Sequence, residues 1–379
     1  MIYLDNNATT QLDPQVGEAM LEVWRSGPLN PSSQHAAGRR ARLWLDDAIG
    51  ELGQRLGTRC DQPGGPRLIL TSGGTEANNL ALRGIGDRRA PLIVSQIEHA
   101  SVREVTLAAA AEGRPVHSIP VDAKGVVSLE ALETTLAATA RPALVSLMAA
   151  NNETGVLQPV AEAASLCHAA GVPLHVDATQ WIGKLPFAFD ETAIDAITFA
   201  PHKFHGPTGI GGLLLAPTVS FRPAWQGGGQ QLGDRPGTEA VALAVGAAAA
   251  LRLADSAEAA LRIAQLRDRF ETALQQALPE LVIHGQAARR LPGTSCIGFP
   301  GTNRQSMLMA LDFAGIACSS GSACASGSSQ ASYVLQAMGV SDALVDASLR
   351  FGLSRFSTET EIDRATAVIV NAYIDLRKE

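Results

Sequence analysis

"FAPHKFHGPTGIGG", Phe199 to Gly212, sets one lysine, Lys203, between His202 and His205. An apolar run, Ala196–Phe199, leads into it and a second run, Gly211–Leu215, leads away. Both read as strands, so the lysine falls where a buried strand ends. The chain has four lysines, Lys124, Lys184, Lys203 and Lys378, and arginine carries most of its positive charge. Arginine keeps its proton near neutral pH, whereas lysine loses it when its surroundings lower its pKa. A neutral amine is a nucleophile that forms a Schiff base with a carbonyl.

Outward from this stretch, short aliphatic runs alternate with helical patterns. Arg67–Leu70, Leu92–Ser95, Val116–Pro120, Ala143–Met148 and Leu174–Val176 read as further strands, with helices such as Ser101–Glu112 and Val160–Ala170 between them. Continuous apolar strands alternating with helices predict an α/β fold with a mostly parallel sheet covered on both faces. Near Asp255 the rhythm changes. A charged helix, Ala257–Ala277, leads to shorter strands, Leu281–His284 and Thr294–Phe299, and to a last helix from Thr358 to about Arg377. This is a second, smaller α+β unit.

Composition narrows the function. The 379 residues are 46% hydrophobic and 18% charged, the balance of a globular protein. A net charge of −7 and 4% aromatic residues argue against nucleic acid as the main partner. The opening MIYLDNNATT lacks a basic segment followed by an apolar core. The longest apolar run, Ala240–Leu251, falls short of the ~20 residues that span a bilayer and reads as a buried helix. A cytoplasmic enzyme without membrane contact is expected. The five cysteines, Cys60, Cys167, Cys296, Cys318 and Cys324, form no C-x-x-C pair and no zinc-type spacing, so no metal is expected. Cys60, Cys167, Cys296 and Cys318 read as small buried hydrophobes. Cys324 differs, because it ends SSGSAC, a Ser/Gly-rich segment that reads as a surface loop.

Other strands end on polar groups. "TSGGTEANN" puts Gly73, Gly74 and Thr75 where a strand hands over to a helix, a candidate anion cup that, taken alone, reads rather as an ordinary capped helix start. It is no P-loop, since no G-K-[ST] follows, and GPTGIGG is no dinucleotide fingerprint, since no helix opens there. "HVDATQ" sets Asp177 at a strand's carboxyl end with Gln180 beyond it, where α/β sheets bind ligands. Asp177 suits a protonated ring nitrogen or a plain cap. His99 in IEHAS and Asn151 and Asn152 in MAANNETG end two more strands, and singly each reads as a loop residue.

Taken in order, LDNNATT, NPSSQHAAGR, TSGGTEANN, EHASV, NNETGV, HVDATQ, PHKFHGP, RPGT, SSGSACASG and SLRFGLSRF resemble one family nearly end to end. The chain resembles the cysteine desulfurases of the NifS/IscS group, fold-type I pyridoxal-phosphate enzymes of the class-V aminotransferase family. The resemblance implies an aspartate-aminotransferase-like fold: a large domain over 13–254 with a seven-stranded sheet, and a small domain from 1–12 and 255–379 that carries the catalytic cysteine loop. It implies pyridoxal 5'-phosphate on Lys203, its ring nitrogen held by Asp177, its ring stacked by His99 and its phenolate oxygen bonded by Gln180. Gly74, Thr75 and His202 hold the phosphate, and Thr238 reaches the phosphate of a second copy, making a homodimer. Arg350 clamps the carboxylate of L-cysteine, with Asn152 and Asn30 nearby. Cys324 takes the sulfur as a persulfide, leaving L-alanine, and Cys318 belongs to the core.

One position departs from the pattern. The family carries serine or threonine three residues before the lysine, and here Ala200 removes that hydroxyl from the phosphate cup. Water or Thr208 is a candidate replacement. Selenocysteine lyase and cysteine sulfinate desulfinase share the scaffold as alternatives, and a non-catalytic assembly scaffold is the alternative outside enzymes. The sulfur acceptor is left open among iron–sulfur cluster assembly and other thiolation pathways.

Overall fold

The aliphatic runs become a sheet because each is flanked by helices that need a surface to cover. The computed structural model describes residues 1–254, 257–321 and 331–377. Across the main sheet the strands run Arg67–Thr71, Gly211–Leu215, Ala196–Phe199, Leu174–Asp177, Leu144–Met148, Leu92–Ser95 and Val116–Ile119. Gly211–Leu215 is antiparallel to both its neighbours, and the other pairs are parallel. The five central strands have every residue buried, the condition of a sheet covered on both faces. Parallel pairing puts the carboxyl ends of Leu92–Ser95, Leu144–Met148, Leu174–Asp177 and Ala196–Phe199 along one edge. The polar strand endings therefore meet there.

Inside the sheet the buried polar groups are paired. Ser146 Oγ and Thr198 Oγ1 flank the His175 ring at 2.9 and 3.0 Å, across three neighbouring strands. Burial holds His175 far below the usual imidazole range, so it stays neutral. On one face the alanine-rich helix Val241–Ala254 lies against helices Pro14–Arg25 and Ala36–Arg55. Small side chains allow that approach: a Cβ added at Gly246 would stand 2.6 Å from Met20 Sδ.

A separate core joins the two ends of the chain. Ile2 and Leu4 are buried with Leu266, Phe270, Phe299, Phe351 and Tyr373. Its sheet is antiparallel, in the order Ser348–Gly352, Thr294–Gly298, Val282–Ile283, and Ile2–Tyr3 pairs in parallel with Ile316–Ala317. Phe351 meets Phe270 and Phe299 edge-on, with centroids 5.3 and 6.3 Å away. Strand Ser348–Gly352 thus has an aromatic anchor on one side and can present Arg350 on the other.

Gly212 ties the opening stretch to this frame. It pairs with Phe199 across the antiparallel ladder, and a Cβ there would stand 2.3 Å from the fully buried Phe199 ring. Gly212→Ala is predicted to cost about 1–3 kcal/mol through overpacking. A lowered thermal unfolding midpoint checks this, with Gly229→Ala as a control for glycine loss alone, since its φ is −81° and nothing lies within 4 Å of a Cβ there.

Candidate active site

After Phe199 the chain turns through a single 3₁₀ turn, Pro201–Lys203, and leaves it through His205 at a positive φ of 68°. A strap from the N-terminus crosses this turn. Thr10 donates its backbone N–H and its hydroxyl to the His202 carbonyl, both at 2.9 Å. Its oxygen accepts the His205 N–H at 2.7 Å, and Asp13 N–H donates to the His205 carbonyl at 3.0 Å. Lys203 Nζ then donates to the carbonyls of Asn7 and Ala8 at 2.8 and 2.7 Å. Neutral acceptors stabilise an ammonium less than a carboxylate does. Burial first, then the Arg350 charge, pulls Lys203 down to about 8, with Asp177 and Asp5 acting in the opposite sense.

Lys203 lines a cavity of about 290 Å³ together with Gly74, Thr75, His99, Asp177 and Arg350. Asn152, Gln180, Ala200 and His202 also border it. Asp177 closes its strand, accepting from Asn78 Nδ2 at 2.8 Å and from the Thr179 N–H at 3.0 Å. Asn78 comes from helix Gly74–Gly84 and also donates to Ser101 Oγ at 2.8 Å. Ser101 in turn donates its backbone N–H to His99 Nδ1 at 3.1 Å, so the other ring nitrogen carries the proton. Burial, outweighing the attraction of Asp177, lowers the His99 pKa. His202 is likewise pushed to about 4, by burial and then by Lys203 and Lys184. Both imidazoles are neutral at pH 7.

Arg350 reaches the cavity from the small antiparallel sheet. Nη2 is paired with Asp5 Oδ1 at 2.7 Å and Nη1 donates to the Asn152 carbonyl at 3.0 Å. Its Nε is buried without a partner among the described residues. The guanidinium is thus oriented by protein and keeps donors unspent, the Nε N–H among them. Glu98, beside His99, is fully buried and burial lifts it to about 8, while its Oε1 accepts from Ser95 Oγ and the Met148 N–H.

Several expected residues lie elsewhere. Asn30 is exposed, its Oδ1 accepting the Ser32 N–H in a local turn, and it does not border the cavity. Thr238 is exposed and does not border it either. Thr208 is exposed too. Cys324 lies outside the described residues. Cys318 is half-buried against the smaller core, and burial pushes its thiol up to about 12. Sequence reasoning did not pick out Asp5, Asn7, Asn78, Ser101 or Thr179. Their signal was present in LDNNATT, TEANN, EHAS and DATQ, but their partners are distant in sequence.

Lys203 in the cofactor-free protein is predicted to react with an amine-acylating reagent with a midpoint near pH 8. Peptide mapping across a pH series checks it; a midpoint near the ordinary lysine value of about 10.4 contradicts the burial argument.

The aminotransferase class-V family model matches residues 2–365. A cysteine desulfurase of Cereibacter sphaeroides is 41% identical over 376 residues, covering 97% of this chain and 94% of that protein. A second, from Sinorhizobium fredii, is 40% identical, covering 100% of this chain and 97% of that protein. The crystal structure of a NifS-like protein from Rickettsia africae superposes with a TM-score of 0.90 at 31% identity and covers all of both chains.

Proposed function

The chain belongs to the aminotransferase class-V family, and from that premise we propose that it is a pyridoxal-phosphate-dependent cysteine desulfurase. Its reaction is the conversion of L-cysteine to L-alanine, with the sulfur passed through an enzyme persulfide to an acceptor protein. The observation that carries this reading is one half-buried lysine, its pKa lowered to about 8, sharing a cavity with a buried aspartate and an oriented arginine.

The residues present fit the cofactor at each of its ends. Asp177, held by Asn78 and the Thr179 N–H, suits a protonated pyridine nitrogen. The helix at Gly74 starts without a side-chain cap, leaving N–H groups for a phosphate. A Cβ at Gly74 would stand 3.3 Å from Thr179 Oγ1 and 3.5 Å from Ala200 Cβ. Thr179 Oγ1 is buried without a partner among the described residues. We assign it the hydroxyl role that Ala200 has lost, since exposed Thr208 does not border the cavity.

When bound, pyridoxal phosphate supplies an electron sink for the bonds at the substrate's Cα. With the cofactor bound, Lys203 Nζ would hold and return the proton at the substrate's Cα. A pKa near 8 leaves a useful fraction of it neutral at physiological pH. Neutral His99 borders the cavity and would meet the cofactor ring there without adding charge. Arg350 binds the substrate carboxylate, and Asn152 borders the same end. The thiolate of Cys324 attacks the sulfur of bound L-cysteine. The S–Cβ bond breaks with its electron pair left on carbon, the carbon takes a proton, and alanine leaves while Cys324 keeps the sulfur. The other cysteines are poor candidates: burial pushes Cys60, Cys167 and Cys318 up to about 12, and Cys296 higher still. In a homodimer, Thr238 of a second copy would complete the phosphate site. A purely structural scaffold has no use for a half-buried lysine with so lowered a pKa.

Borohydride reduction of the loaded protein fixes the cofactor on the Lys203 peptide; labelling of Lys124 or Lys184 instead would sink the assignment. Incubation with L-cysteine without reductant leaves one extra sulfur on the Cys324 peptide by mass spectrometry. Cys324→Ser loses alanine release while still taking up cofactor, and Cys318→Ser keeps most activity. Thr179→Val speeds cofactor loss on dialysis about tenfold or more, the effect of one lost hydrogen bond to a charged group. Ala200→Ser restores retention in the Thr179→Val background and changes little in the wild type.

A further inference from the structure

Lys184 is the one described lysine besides Lys203 that lies close to the cavity, and the roles assigned above leave it unused. It sits at the end of the turn that follows Asp177. Its Nζ donates to Gln180 Oε1 at 2.5 Å, while Gln180 Nε2 donates to the Asn7 carbonyl at 3.0 Å. Lys203 donates to the same Asn7 carbonyl. A glutamine amide can turn over and exchange its oxygen for its nitrogen. Here both neighbours forbid the exchange: Asn7 O has no proton to give, and Lys184 Nζ presents protons to the oxygen. With Oε1 and one N–H committed, the second Nε2 N–H is the group left to the cavity.

We propose that Lys184 is a positioning residue that locks Gln180 as a hydrogen-bond donor to the cofactor's ring oxygen. The inference rests on the function proposed above. The lock is strictest while Lys184 is an ammonium, which has no lone pair to accept an amide N–H; with Lys184 as an amine, the Asn7 carbonyl alone fixes the sense of the amide. Burial, then Lys203 and Arg350, draws Lys184 down to about 7, but an amine still has two N–H groups to donate. Of the two lysines Lys203 keeps its proton to the higher pH, so its charge bears on Lys184 and not the reverse. Lys184 therefore reaches Lys203 through Gln180. The charged or titratable groups that face Lys203 are Arg350, Asp177, Asp5, His99, His202 and Lys184.

The test reads the pH midpoint of the visible chromophore of the Lys203–cofactor link. A donor on the ring oxygen stabilises that oxygen most once the link nitrogen has lost its proton. Losing the donor therefore raises the midpoint. Gln180→Ala is expected to raise it by about one pH unit, and Lys184→Met to raise it in the same direction. In the Gln180→Ala background, Lys184→Met is expected to add nothing. Lys184→Arg, which keeps a donor, is expected to stay near the wild type. Lys184→Ala runs beside Lys184→Met, and thermal unfolding of each protein without cofactor verifies its fold. An unmoved midpoint in the folded Lys184 variants overturns the proposal. So does a Lys184→Met shift that persists at full size without Gln180. A wild type that forms no chromophore would overturn the proposed function itself, a result distinct from a chromophore that ignores Lys184.

Discussion

The crossing of the N-terminal strap over the Pro201–Lys203 turn is the contact on which the site depends. Thr10 and Asp13 bond the backbone on either side of Lys203, and Asn7 and Ala8 receive its ammonium. The same strap continues back to Asp5, which orients Arg350, and to Ile2, which pairs with Ile316. One short segment thereby links the main sheet, which supplies Lys203 and Asp177, to the small sheet, which supplies Arg350. Asn7 adds a cross-bond of its own, from Nδ2 to Thr294 Oγ1 at 2.8 Å. A change in how the two cores sit together would move the strap, and the strap would move the lysine.

Electrostatics follow from that enclosure. Desolvation acts on Lys203 and Lys184, and Asp177 and Asp5 are the acids that oppose it at Lys203. Asp5 is committed to Arg350, and Asp177 to Asn78 and the Thr179 N–H. Lys203 is left with neutral carbonyls, so burial and then the Arg350 charge are incompletely offset and its proton is loosely held. Putting a carboxylate in place of those carbonyls would make a stable ion pair and a poor nucleophile. The arrangement keeps the amine reactive by withholding a counter-ion, not by adding a base.

Much of this was legible in the sequence. The seven strands of the main sheet were read within a residue or two, because buried parallel strands are unbroken aliphatic runs. Helices Val160–Ala170 and Ala257–Ala277 were likewise visible in their periodicity. Strand Ser348–Gly352 went unread as a strand, since SLRFG buries an arginine and breaks the aliphatic pattern. Ile2–Tyr3 and Ile316–Ala317 are two residues long, and each takes its conformation from the other. At the site, Lys203, Asp177, His99 and Gln180 were found as polar endings of apolar strands. Asn30, carried over by motif, accepts a hydrogen bond in a local turn and does not border the cavity. Thr179 and Lys184 were missed because their meaning lies in what they face: an uncapped helix start and a glutamine that could otherwise turn over.

The central claim is that this cavity takes sulfur from L-cysteine and leaves the carbon skeleton whole. Quantifying products from the protein loaded with pyridoxal phosphate, with L-cysteine and a thiol reductant, tests it most directly. The account predicts alanine and sulfide in equal amounts. Pyruvate and ammonia in place of alanine would contradict it.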